Sequence, residues 1–164
     1  MLEYLQIISI ILILPTVILI KEYKNPKGAL ILLMMYVYHI LFAVAYYHSP
    51  TDAQSMYQSV AEGLKPMSLT TIPFPGNEYI YYISHICIEY LYLSYLGATL
   101  LFASLSYIGF WILFKIIQTH KIKYLWLILL IPSLHLWTVG FGKDSLSFLF
   151  ISILLYGVLK NKLH

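Results

Sequence analysis

Arginine is missing from this chain altogether: all ten basic residues are Lys. No bidentate guanidinium clamp on a phosphate can form within it. An anion has to be met by Lys, by helix N-termini or by a metal. Cysteine occurs once, at Cys87. That excludes an internal disulfide and any CxxC metal or redox site, and the residue reads as a small packing or lipid-facing side chain. Charge of either sign is scarce. Charged residues make up 10% of the chain, against about 25% in a soluble domain. The net charge of +3 is small and unclustered, so no nucleic-acid surface is expected. GxSxG, Walker, GxGxxG and HExxH elements are absent, and there is no internal repeat or low-complexity tract.

What is present is apolar. Hydrophobic residues make up 60% of the chain, and the mean hydropathy is +0.79. Such a chain cannot cover itself with polar side chains in water. A spanning helix needs roughly 20 apolar residues, so there is room for about five or six spans. The expected fold is an all-α, polytopic transmembrane helical bundle in the lipid bilayer. The N-terminus carries only Glu3 as an early charge, with no small-residue cleavage site before Lys21, and reads as a retained span.

The first apolar run covers about 4–20, with Pro15 inside it, which membrane helices tolerate. The second covers 28–47 and ends in an interfacial Tyr46-Tyr47-His48 belt. Residues 48–78 form the one long polar loop, with a helix expected over about 51–64, capped by Thr51 or Asp52. The PFPGN run at 73–77 is turn chemistry. Later apolar runs cover about 95–117, 124–138 and 145–159. Lys clusters at 21–27, 115–123 and 160–162 mark cytoplasmic loops. The N-terminus is then outside and the C-terminus cytoplasmic, with the 48–78 loop and GFGKDS (140–145) on the outer face. Five spans result, plus an interfacial or re-entrant helix over 79–92. The last two runs are short: about 15 residues reach only about 22 Å. A water-filled cavity beside GFGKDS would satisfy its polar groups.

Three places could carry chemistry. Asp52 lies just past the second span, where a carboxylate serves as a general base or takes a divalent metal; equally, it can cap a loop helix. Glu78, Tyr82, His85, Glu89 and Tyr92 recur at helical spacing on one face. They line either a cavity or the polar edge of an interfacial helix. In PSLHLWTVGFGKDS (132–145), Lys143 and the start of a helix would make an anion site beside His135 and Asp144, or the run is a tight turn capped by Asp144. His39 sits mid-span and lines a packed or wet interior.

Three passages together resemble the EpsG-like and Wzy-type polysaccharide polymerases, membrane glycosyltransferases of the GT-C-like kind. They are TDAQSMYQSVAEG (51–63), LSYLGATLLFASLSYIGFWILFKI (93–116) and IPSLHLWTVGFGKDSLSFLFISILLYG (131–157), in the same order and at similar spacing. The resemblance implies a bacterial inner-membrane protein that uses polyprenyl-diphosphate-linked saccharides. It implies Asp52 as the catalytic carboxylate and Lys143 at the lipid diphosphate. His135, Asp144 and Tyr57 are then nearby substrate-binding candidates, and the topology read from the charges adds His85 and Glu89 on the same outer face. No metal ligand set is implied and no organic cofactor; a divalent ion stays open. Members of that family carry further spans after the KD passage. A membrane protein partner or a longer chain would supply them.

Overall fold

The computed structural model describes residues 2–65, 77–120 and 124–161. The PFPGN turn, Lys121, Lys123 and Lys162 lie outside the described residues. Everything regular among those described is helical: α1 (Leu2–Lys21), α2 (Pro26–Tyr47), α3 (Asp52–Ala61), α4 (Asn77–Glu89) and α5 (Tyr95–Thr119). A 3-10 helix (Leu125–Leu130), α6 (Pro132–Thr138) and α7 (Lys143–Asn161) follow.

Local chemistry accounts for the helix ends. Asn25 caps α2 by accepting the Gly28 N–H at 3.1 Å, with Pro26 at the first helical position. Thr51 caps α3 through the Gln54 N–H at 3.2 Å. Ser94 caps α5 through the Gly97 N–H at 3.2 Å. The apolar run 124–138 is not one α-helix. Pro132 has no N–H to donate and biases Ile131 to extended backbone, which sits at φ −60°, ψ 120°. A tight 3-10 helix therefore precedes the break and a seven-residue α-helix follows it.

Three helices, α1, α2 and α5, are long and apolar enough to cross a membrane. The pair α6 and α7, bent by 111°, makes a fourth if counted as one span. The expectation of five separate spans is thus met by three or four. Their surfaces are what lipid requires. Ile20 of α1 and Leu154 of α7 are 65% and 67% exposed, an arrangement water would penalise at about 25 cal/mol per Å². The chain is a membrane protein.

α5 is the central post, packed by α1, α2 and α7. Tyr107 and Phe110 of α5, Leu32, Met35 and Tyr36 of α2 and Ile18 of α1 form the main core. The Tyr107 hydroxyl donates to the Leu32 carbonyl, and Tyr36 Oη lies 3.2 Å from Ser104 Oγ. At one end of this bundle Glu22 is buried. Its carboxylate accepts from Lys115 Nζ at 2.5 Å and from Trp111 Nε1 at 3.0 Å. At the opposite end α3 and α4 pack on each other and over the start of α5. Ala53, Tyr57, Ile83, Cys87, Tyr95 and Phe141 build a second core there. That end carries the candidate site.

Candidate functional site

The Thr51 cap sets Asp52 in the first turn of α3. The Thr51 hydroxyl also lies 3.1 Å from Tyr95 Oη, which ties the cap to α5. Asp52 itself is exposed. Opposite it, the chain turns sharply between α6 and α7. Gly142 takes φ +148°, a conformation essentially reserved for glycine. Its carbonyl accepts the Ser145 hydroxyl at 2.8 Å. A Cβ on Gly140 would lie 2.9 Å from the Tyr46 ring. Between these glycines Phe141 is buried against Phe102, Tyr57 and Tyr95 and pins the corner.

The corner ends in Lys143 and Asp144, both exposed at the start of α7. Asp52, Lys143 and Asp144 meet around one cavity of about 230 Å³, walled by Tyr46, Ile80, Trp137 and the two glycines. Asp52 and Asp144 are its carboxylates. Among the described residues no group of three or more His, Cys, Asp or Glu is placed to hold a metal ion.

The other sequence candidates lie elsewhere. Tyr57 is buried against Phe141, which lines the cavity, and its hydroxyl donates to the Leu93 carbonyl. Burial pushes its phenol pKa up, which keeps that donor in place. His85 is half-buried on α4, its ring 6.1 Å from that of Tyr90, and Glu89 is exposed at the helix end. α4 buries Ile83, Ser84 and Cys87. The Glu78–Tyr82–His85–Glu89 stripe therefore runs along the outward flank, and neither His85 nor Glu89 reaches the cavity. Tyr92 falls beyond α4 in a left-handed turn at φ 51°. His135 points away from the cavity into the bundle, where its Nδ1 lies 2.7 Å from Nδ1 of His39.

Sequence reasoning missed Tyr46, Trp137 and the pairing of His39 with His135. The two histidines did carry a signal. Each is an ionisable residue inside an apolar run, a placement that is costly without a partner.

Compared with known proteins, the chain matches no family model, no curated protein and no solved structure. The likeness to the polysaccharide polymerases rests on the three sequence passages.

Proposed function

We propose that this chain is a membrane glycosyltransferase of the oligosaccharide-polymerase kind, or the part of one that holds the donor site. It acts on polyprenyl-diphosphate-linked sugars in surface polysaccharide synthesis. One observation carries the reading. Asp52 and Lys143–Asp144, singled out in two separate sequence passages, wall the same cavity at one end of a membrane bundle.

The chemistry follows from the charges. Lys143, with the unpaired N–H groups at the start of α7, meets the diphosphate. Asp52 takes the proton of the acceptor hydroxyl as that oxygen attacks the anomeric carbon. The bond from that carbon to the diphosphate oxygen breaks, the configuration inverts, and the polyprenyl diphosphate leaves with its negative charge steadied by Lys143.

The membrane orientation belongs to the same proposal. Lys21, Lys24, Lys27, Lys115 and Lys160 gather at the Glu22 end, while Lys65 and Lys143 are the described lysines at the Asp52 end. Basic residues stay cytoplasmic. The Asp52 end and the N-terminus then face out of a bacterial inner membrane and the C-terminus faces in; in this topology α7 crosses by itself as the fourth span, and the 3-10 helix with α6 makes a separate, broken fifth. A membrane partner or a longer chain supplies the further spans that such enzymes carry.

The test is complementation. In cells lacking the gene, Asp52→Asn should abolish the surface glycan while the protein inserts at its normal level. Full glycan with Asp52→Asn would overturn the catalytic reading and favour a non-catalytic subunit or a transporter of lipid-linked glycans.

A further inference from the structure

His39 and His135 are fully buried in the interior of the bundle. Their surroundings fix how many protons they can share. The two Nδ1 atoms are 2.7 Å apart. His135 Nε2 lies 2.6 Å from the Leu129 carbonyl oxygen. His39 Nε2 lies 3.2 Å from the Ala103 carbonyl oxygen and 3.0 Å from Ser106 Oγ. Ser106 Oγ is in turn 2.9 Å from that same Ala103 oxygen.

A carbonyl only accepts, so His135 carries a hydrogen on Nε2. One hydrogen must also lie between the Nδ1 atoms, because two bare lone pairs at that distance repel. With these two hydrogens the pair is neutral. His39 then donates from Nδ1, and its bare Nε2 accepts the Ser106 hydroxyl. The nearby Ala103 oxygen receives nothing from the ring. One added proton goes to His39 Nε2, which now donates towards Ala103 and Ser106. The hydroxyl turns to donate to Ala103 instead. Both states use the same heavy-atom positions, and only the Ser106 hydrogen has to move. A second added proton would set two N–H groups against each other at 2.7 Å.

We propose that His39 and His135 form a membrane-buried binding site for a single exchangeable proton, switched by the hydroxyl of Ser106. The added charge spreads over both rings when the central hydrogen crosses between the Nδ1 atoms. It meets two carbonyl oxygens, one hydroxyl and the face of Phe110, which stacks on His135 at 4.5 Å and 8°. The titratable groups facing the pair are Tyr38 of α2, 4.8 Å from His135 between ring centroids, and Tyr107 of α5, 5.6 Å from His39. Among the described residues no carboxylate or ammonium bonds to either ring. His135 directly precedes Leu136 and Trp137 of the cavity wall, so one ring of the proton-sharing pair belongs to the helix that borders the site. None of this depends on what the cavity binds.

The test is nitrogen NMR of the full chain, labelled with ¹⁵N-histidine, in lipid nanodiscs between about pH 4 and 9, with the remaining histidines as internal references. His39 and His135 should titrate together in one step that adds one hydrogen, at His39 Nε2. Coupling between the two Nδ1 atoms should persist on both sides of the step. In His135→Gln the His39 step should move by about one pH unit or more, or vanish. An absence of any added hydrogen across the range would overturn the proposal and leave a neutral structural pair. Two independent steps adding two hydrogens would overturn it equally. The wild-type titration decides even if the variant does not fold.

Discussion

The thiol of Cys87 is 1% exposed on the inner flank of α4. Burial pushes its pKa up to about 12. At pH 8 such a thiol is almost wholly protonated, with roughly one part in ten thousand as thiolate. Maleimide labelling at pH 8 should therefore leave the folded protein unmodified and go to completion only after denaturation. Rapid labelling of the native form would mean that α4 does not pack as described. The same helix shows what a sequence can and cannot tell at this scale. Periodicity puts Glu78, Tyr82, His85 and Glu89 on one face. It does not say that the opposite flank, with Ile83 and Cys87, is the buried one. Asp52 and Lys143 were legible as candidates because each is a charge at the boundary of an apolar run. The His39–His135 contact was not, because it joins residues of two elements far apart in sequence.

Among the described residues, α5 and α7 share the most extensive helix-to-helix contact, and a small residue makes it close. A Cβ on Gly109 would lie 3.0 Å from the Phe148 ring and 3.0 Å from Ser152 Oγ, whereas one on Gly157 meets nothing within 4 Å. Gly109→Val should destabilise the bundle by about 1–3 kcal/mol through overpacking. Gly157→Ala should be neutral or stabilising by up to about 1 kcal/mol. Thermal unfolding in detergent compares the two. Equal melting points would contradict the close α5–α7 contact. The ends of α2, α3 and α5 were readable from Asn25, Thr51 and Ser94, since a cap is a local hydrogen bond. The 3-10 geometry of 125–130 was not. Pro132 signals a break, but nothing local in 125–130 marks the tight turns before it, in a run that packs beside α5 and accepts a bond from Tyr38 of α2 at the Leu130 carbonyl.

Over the whole molecule the charges are polarised. Glu3, Asp52, Glu62, Glu78, Glu89 and Asp144 all lie at one end, linked there by contacts such as Gln6 to the Leu91 carbonyl at 3.1 Å. Glu22 alone sits among the lysines, and its carboxylate is taken up by Lys115 and Trp111. Composition made the membrane class legible. The count of crossings was not, because hydropathy cannot separate a straight span from the bent α6–α7 pair. With Cys87 silent, introduced cysteines report the topology cleanly. Ser49→Cys should react with an impermeant reagent added to intact cells, and Lys24→Cys only after the membrane is opened. The reverse pattern would turn the cavity to the cytoplasm.

The cavity at the Asp52 end is the proposed donor site, and its affinity for a polyprenyl diphosphate tests that proposal most directly. The measurement is titration of a short-chain polyprenyl diphosphate into the protein in neutral-lipid nanodiscs, comparing wild type with Lys143→Ala. Loss of one charge-assisted contact, about 1.5–3 kcal/mol, should weaken binding by about tenfold or more, with the fold unchanged by circular dichroism. Equal affinity in the two proteins, or no binding to the wild type, would contradict a diphosphate site between Asp52 and Lys143.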